Sequence, residues 1–136
     1  MKKYSFTGIS MIYKGHILNQ IQALVDIPDR GIKANDLGGW LESDKNMSQE
    51  GTCWATGETK VMDRALICDD AFVKDSVLDQ SAKVSETARV INSYISGCAE
   101  VFNEALVFST ELKGSAKVYG KVAVSHGKIS GNTTIC

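Results

Sequence analysis

A 17-residue repeat restricts the fold of this chain more than any other feature of its sequence. Triplets with a small first residue and a branched third residue start at Thr59, Ala65, Ala71 and Ser76, at spacings of 6, 6 and 5 residues. The next triplet, at Ala82, starts the same set again, so the pattern recurs every 17 residues. Fixed periods of about 20 residues indicate stacked repeats, which predicts a solenoid.

The columns of the repeat show how each coil is built. Three columns hold branched residues to the end of the sequence: Val61, Leu78, Ile95, Leu112, Ile129; Ile67, Val84, Val101, Val118, Ile135; and Val73, Val90, Val107, Val124. Residues i and i+2 share one face of a strand, so the small and branched residues of a triplet point inward and the middle one points outward. No stretch keeps the 3.6-residue period of an α-solenoid. The sequence therefore predicts a β-helix with three sides and coils of 6+6+5 residues.

Residues 1–56 precede the repeat and differ from it in pattern. Alternating apolar residues predict a β-hairpin with strands Tyr4–Tyr13 and His16–Ile27, a tight turn at Lys14-Gly15 and a bulge at Gly8. We expect residues 1–56 to form the hairpin and a capping segment, and residues 57–136 to form a β-helix of four to five coils. The predicted fold class is all-β.

Two resemblances extend this interpretation. The Ala-x-Val hexads resemble the left-handed β-helix of hexapeptide-repeat proteins, although the five-residue third side departs from that family's three equal hexads. The segments Gly38-Gly39-Trp40-Leu41-Glu42-Ser43 and Ser48-Gln49-Glu50-Gly51-Thr52-Cys53-Trp54 are similar to those that lead into such coils in many phage and prophage proteins. The resemblances imply a left-handed helix and a phage-encoded protein, and say almost nothing about activity.

The capping segment needs a structural interpretation. Gly38-Gly39 lacks the GxxxxGK[ST] pattern of a phosphate-binding loop. We expect Gly38 and Gly39 to let the backbone turn, and Trp40 and Trp54 to plug the open top of the helix. A solenoid needs a cap of this kind because its first coil otherwise exposes its core and its unpaired backbone groups.

Composition restricts the classes of ligand. Fifteen basic and 16 acidic residues give a net charge of −1, which disfavours direct binding of nucleic acid or of an anionic membrane. No signal peptide or spanning segment is recognised, which favours a soluble protein in the cytoplasm of the host cell. The four cysteines and two histidines form no zinc-binding motif, so we expect no metal and no cofactor.

The outward positions of the third side suggest an interface. Six large apolar residues are expected there: Phe72, Val77, Ile91, Tyr94, Leu106 and Phe108. Such a patch is usually covered, by the hairpin, by a second subunit or by a foreign partner. Ile135 and Cys136, in the last coil, are expected to pair with a second copy or with a partner's strand. A homo-oligomer, dimer or trimer, follows as an expectation.

These features favour a non-enzymatic protein that binds a host protein stoichiometrically, as a counter-defence inhibitor would. The alternative is sequestration of a small nucleotide signal at a subunit interface, with Arg64, Arg89 and Lys74 as possible donors. A self-assembling structural module comes third. The hexapeptide resemblance also leaves an acyltransferase open, with His126 as its base, but no catalytic residue is predicted because no inserted loop builds a substrate pocket.

Overall fold

A computed structural model describes residues 2–136 of the chain. Eighteen strands make up almost all of its regular structure, with short 3₁₀ turns at Pro28–Arg30 and Asp44–Asn46. The strands are β1 Tyr4–Tyr13, β2 His16–Ala23, β3 Leu37–Leu41, β4 Trp54–Thr56, β5 Lys60–Val61, β6 Leu66–Ile67, β7 Phe72–Lys74, β8 Val77–Leu78, β9 Lys83–Val84, β10 Arg89–Ile91, β11 Tyr94–Ile95, β12 Glu100–Val101, β13 Leu106–Phe108, β14 Glu111–Leu112, β15 Lys117–Val118, β16 Ala123–Ser125, β17 Lys128–Ile129 and β18 Thr134–Ile135. Within residues 2–136, no helix is long and apolar enough to cross a membrane.

The strands of the repeat form the three sides of a β-solenoid, which confirms the predicted fold class. Sheet 1 contains β5, β8, β11, β14 and β17; sheet 2 contains β6, β9, β12, β15 and β18; sheet 3 contains β4, β7, β10, β13 and β16. Neighbouring strands within the repeat are parallel, and residues 17 positions apart lie side by side, as Val84, Val101 and Val118 do. The left hand that the resemblance implies stays a prediction.

The solenoid begins earlier than the repeat. Strand β3 pairs with β5 in sheet 1, Met47 bridges to Ile67 beside sheet 2, and β4 pairs with β7 in sheet 3. Residues 37–56 therefore make an irregular first coil, and the solenoid has about six turns where the sequence predicted four to five. Sequence comparison missed this coil because only its strand ends share the spacing of the later coils.

The corners of the coils use the left-handed backbone conformation. In the first regular coil, Asp63, Asp69 and Asp75 have φ values of 58°, 58° and 49°. Asp is one of the residues that tolerate this conformation, because its side chain bonds to nearby backbone groups. Asp63 Oδ2 accepts the N–H of Gln80, and Asp69 Oδ2 accepts the N–H of Glu86, each at 3.0 Å. The corner side chains thus tie successive coils together.

A buried ladder of hydroxyl groups lines the short connection between sheets 3 and 1. Ser76, Ser93 and Thr110 follow one another at intervals of 17 residues, and all three are buried. Ser76 Oγ accepts the N–H of Ser93 at 3.0 Å, while donating to the carbonyl of Lys74 at 2.8 Å. Each hydroxyl therefore satisfies a buried backbone donor of the following coil, which a branched apolar residue at this position would leave unpaired.

The hairpin continues sheet 1 beyond the solenoid. Strand β1 pairs with β2, β2 pairs with β3, both antiparallel, and β3 is parallel to β5. The predicted bulge is present: the register shifts between Phe6 and Ser10, and Gly8 has a φ of +93°. Strand β2 ends at Ala23 rather than at Ile27, because the chain turns back there and Ile27 bridges to Ile32.

Candidate functional site

The predicted apolar patch is divided between two sheets. Phe72 and Leu106 occupy one outward column of sheet 3, interrupted by Arg89, and Ile91 and Phe108 are adjacent in the other outward column. Val77 and Tyr94 lie round the corner on sheet 1. All six side chains are half-buried, so none of them presents a largely exposed apolar surface.

The hairpin does not account for most of this burial, because it extends sheet 1. The segment that follows it does reach the patch: the Arg30 guanidinium lies 6.0 Å from the centre of the Phe72 ring. The same guanidinium donates to the carbonyl of Asp70. One end of the predicted patch is therefore covered by the N-terminal module itself.

Tyr94 is held by the solenoid corner rather than left free. Its hydroxyl donates to Asp79 Oδ2 at 2.7 Å, and this hydrogen bond raises the pKa of the phenol. Nearby, Lys113 Nζ lies 2.7 Å from Glu111 Oε1. The outer face of sheet 1 is therefore largely a network of polar contacts, which weakens it as an apolar interface.

The most exposed apolar surface belongs to the N-terminal module. Six large apolar side chains are exposed, all of them before residue 38: Phe6, Ile9, Ile12, Ile17, Leu24 and Leu37. Ile12 and Ile17 face each other across the hairpin and are 75% and 60% exposed. Sequence reasoning assigned Ile9 to an alternating strand, but it had no signal to show which hairpin residues the solenoid leaves uncovered.

Strand β1 is an edge strand. It is 10 residues long, it contains no proline, and it is the last strand of the eight-stranded sheet 1. Long edge strands with exposed apolar side chains are sites at which another chain can add by backbone hydrogen bonding. The pair of Ile12 and Ile17 thus lies beside a row of available backbone groups.

The base of the hairpin is fastened by the Ser48–Trp54 segment. Gln49 Oε1 accepts the N–H groups of Lys3 and Tyr4 at 2.7 and 3.1 Å, and Gln49 Nε2 donates to the Tyr4 carbonyl at 3.2 Å. The Tyr4 hydroxyl donates to the Met47 carbonyl at 2.6 Å, and burial raises the pKa of this phenol. The segment that resembles phage proteins is therefore a lock for strand β1.

Lys3 and Cys53 complete this lock. Lys3 is buried, and its Nζ contacts Cys53 Sγ at 3.1 Å and the carbonyls of Glu50 and Gly51 at 3.2 and 3.3 Å. Desolvation raises the pKa of the Cys53 thiol, which the neighbouring ammonium partly offsets. A buried thiol of raised pKa is a poor nucleophile, so Cys53 has a structural role.

The expected cap residues occupy different positions. Trp54 is completely buried, and a Cβ at Gly38 would lie 2.8 Å from its ring, so Gly38 makes room for it. Gly39 packs equally closely on the Thr59 backbone. Trp40 is half-buried and pairs in register with Lys60, whereas its neighbour Leu41 enters the core. Burial at the top of the solenoid therefore depends on Trp54 and Leu41.

The far end of the described chain is less buried. Ile135 pairs with Val118 in sheet 2 and is half-buried, and Cys136 is exposed. Phe102 and Tyr119 stack on the surface near this end, with ring centres 4.9 Å apart. His126 is an exposed corner residue, and no hydrogen bond orients its ring within residues 2–136.

Three polar side chains meet at the tip of the hairpin. His16 Nδ1 lies 3.0 Å from Glu42 Oε2 and 3.8 Å from Asp63 Oδ1. The hydrogen bond with Glu42 raises the pKa of His16, and the backbone N–H of Asp63 is the main cause of the lowered pKa of Glu42. The sequence did not reveal this cluster, because its members lie in three segments that only the pairing of β2, β3 and β5 brings together.

Sheet 3 carries a groove with two arginines. Arg30 and Arg89 line it together with Thr52, Asp70 and Thr87, and its volume is about 450 Å³. Arg89 was a predicted donor; Arg64 and Lys74 do not line this groove. Asp70 Oδ1 accepts both the N–H and the hydroxyl of Thr52, which lowers the pKa of Asp70.

Comparisons with known proteins identify no relatives. No protein-family model matches the chain. No curated protein matches it either.

Proposed function

We propose that this chain is a non-catalytic binding protein that acts by stoichiometric contact with another protein through its hairpin. The observation that carries the proposal is the exposed pair of Ile12 and Ile17 beside the edge strand β1. Because the base of the hairpin is fastened by Lys3, Tyr4 and Gln49, this surface is presented on a rigid support. Preorganised surfaces lose less entropy on binding.

The proposed partner is a protein of the bacterial host, met in its cytoplasm. The resemblance of the capping segments to phage proteins supports a phage origin. A near-neutral net charge of −1 supports contact with a protein rather than with nucleic acid. Inhibition of a host defence protein by occlusion is the biological role that we propose for such contact.

Affinity capture from lysate of the bacterium in which the gene is found tests this proposal. The bait is compared with an Ile12→Thr/Ile17→Thr variant, since threonine keeps the β-branched shape but removes apolar area. A Lys83→Ala/Lys117→Ala bait, altered on sheet 2, is the matched control. We expect one protein retained by the wild type and the control and lost at least tenfold from the hairpin variant. Equal capture by all three baits would contradict the proposal.

A nucleotide-binding function is the second candidate, and the groove between Arg30 and Arg89 favours it. Its volume of about 450 Å³ falls in the range of small-ligand sites. Arginine forks bind phosphates through paired hydrogen bonds. Calorimetry with cyclic di-GMP as the probe tests it. Binding that Arg89→Ala abolishes and Arg64→Ala leaves intact would support it, and absence of binding to the wild type would contradict it.

An acyltransferase receives little support from the geometry. His126 is exposed, and within residues 2–136 no carboxylate or hydroxyl is hydrogen-bonded to its ring. A general base in an acyl-transfer reaction needs such an orienting partner and a substrate held within hydrogen-bonding reach. We therefore do not assign His126 a chemical role.

A further inference from the structure

Three potential metal ligands from three separate segments converge where the hairpin tip meets the solenoid. His16 begins β2, Glu42 directly follows β3, and Asp63 is the first corner of the repeat. One ligand atom from each side chain lies within 4.8 Å of the other two. No comparable group of three histidine, cysteine or acidic side chains occurs elsewhere in residues 2–136.

The carboxylates are oriented with one oxygen each toward the histidine. Glu42 Oε1 accepts the backbone N–H of Asp63 at 2.6 Å, which leaves Oε2 facing His16. Asp63 Oδ2 accepts the backbone N–H of Gln80 at 3.0 Å, which leaves Oδ1 facing the same nitrogen. In metal sites, hydrogen bonds of this kind from the outer layer fix the ligating carboxylates.

The local charge favours a cation. Glu42 and Asp63 bring two negative charges, and among residues 2–136 neither has a lysine or arginine nitrogen within 4.0 Å. Asp79 adds to the negative potential at His16. A histidine offers at most one compensating charge, so the cluster carries a negative excess that a divalent ion would remove.

Asp63 is distinctive within its own column of the repeat. The equivalent corner positions of the later coils are Gln80, Gly97, Gly114 and Gly131, and all of them have positive φ values except where glutamine repeats the same conformation with φ 54°. Glycine satisfies this turn without a side chain. The column places a carboxylate only in the coil that faces His16.

We propose that His16 Nδ1, Glu42 Oε2 and Asp63 Oδ1 bind one divalent transition-metal ion of the zinc type, which fastens the tip of the hairpin to the solenoid. Zinc takes nitrogen and carboxylate ligands at about 2.0–2.2 Å in a tetrahedron, which separates its ligand atoms by about 3.3 Å. The separations from His16 Nδ1 of 3.0 and 3.8 Å bracket this value. Closing the site therefore needs only small side-chain movements, and a fourth position remains for water.

The two ends of the hairpin are then held by different means. Lys3, Tyr4 and Gln49 fasten its base through hydrogen bonds, and the metal ion fastens its tip. The inference does not depend on the proposed binding function, since it concerns only the attachment of the hairpin to its own solenoid.

Isothermal titration calorimetry with ZnCl₂ tests the site on chelator-treated full chain. Cysteine thiolates also bind zinc, so the titration uses a background in which Cys68, Cys98 and Cys136 are replaced by serine. His16→Ala and Glu42→Gln each remove a ligand, and Asp63→Asn does so while keeping a residue that tolerates the left-handed turn. His126→Ala removes the exposed histidine of the far end and is the matched control. Circular dichroism verifies that every variant is folded.

The expected result is one zinc per chain, with affinity reduced at least tenfold in each ligand variant and unchanged in His126→Ala. Zinc should also raise the thermal midpoint of the background protein and of the control, because a ligand that binds the folded state stabilises it. Absence of binding to the background protein would show that the cluster is an ion pair of His16 with two carboxylates. Equal affinity in the folded ligand variants, or a larger loss in His126→Ala, would also overturn the proposal.

Discussion

The N–H of Thr110 donates to the hydroxyl of Ser93, one coil earlier, at 3.1 Å. Ser93 in turn donates to the carbonyl of Ile91 at 2.9 Å. This relationship repeats up the corner between sheets 3 and 1 and makes the five-residue side possible. It shows that the short side of each coil is stabilised by polar as well as apolar contacts.

Ser93→Ala is expected to destabilise the solenoid by about 1–3 kcal/mol, because the buried N–H of Thr110 loses its acceptor. Urea denaturation followed by circular dichroism measures the change. Ser125→Ala, at an exposed position of sheet 3, is the control and should change stability by less than about 0.5 kcal/mol. Equal stability of both variants would show that the ladder contributes nothing.

Val101→Asp is expected to cost more than about 4 kcal/mol or to abolish cooperative unfolding, because it places a charge in a completely buried column. Lys117→Ala, exposed on the same sheet, should have almost no effect. Thermal denaturation compares the two. Similar midpoints would mean that the inward and outward columns are assigned incorrectly.

Gly38→Ala tests the packing of Trp54. The new methyl group would meet Ile21 Cγ1 at 2.7 Å and Trp54 Cζ2 at 2.8 Å. Overpacking of this kind costs about 1–3 kcal/mol. Gly127→Ala is the matched control, because nothing lies within 4 Å of its added Cβ. The prediction fails if the two alanine variants have the same urea midpoint.

Asp70 gives a pH prediction. The N–H and hydroxyl of Thr52 lower the folded-state pKa of Asp70 below its model value of 3.8. Its contribution to stability is therefore fully present above about pH 3.8 and is lost as the pH falls through the folded-state pKa. Asp70→Asn should be less stable than the wild type at pH 7, and this difference should shrink below about pH 3.8. The exposed Asp29→Asn variant is the control; a difference that does not depend on pH would contradict the assignment.

The sequence predicts the solenoid because its determinants are periodic. Val84, Val101 and Val118 are interchangeable members of one column, and the pairing of equivalent residues follows from the spacing alone. The hairpin and its bulge are also local, since Gly8 and Lys14-Gly15 specify them within a few residues. These features need no knowledge of how distant segments meet.

The irregular first coil and the candidate sites depend on such meetings. Met47 bridges to Ile67 outside the repeat, and His16 meets Glu42 and Asp63 through the pairing of three strands. The exposure of Ile12 and Ile17 also depends on where the solenoid ends beneath the hairpin. No periodic signal reports these contacts, so the sequence directed attention to sheet 3 while the most exposed apolar surface lies on the hairpin.

Native mass spectrometry of the gently purified protein tests the central claim most directly, namely that the hairpin binds a protein stoichiometrically. We predict a discrete complex of this chain with one other protein that is absent when Ile12→Thr/Ile17→Thr replaces the wild type. A homo-oligomer insensitive to that substitution, or a bare chain carrying only an added mass in the nucleotide range, would contradict it.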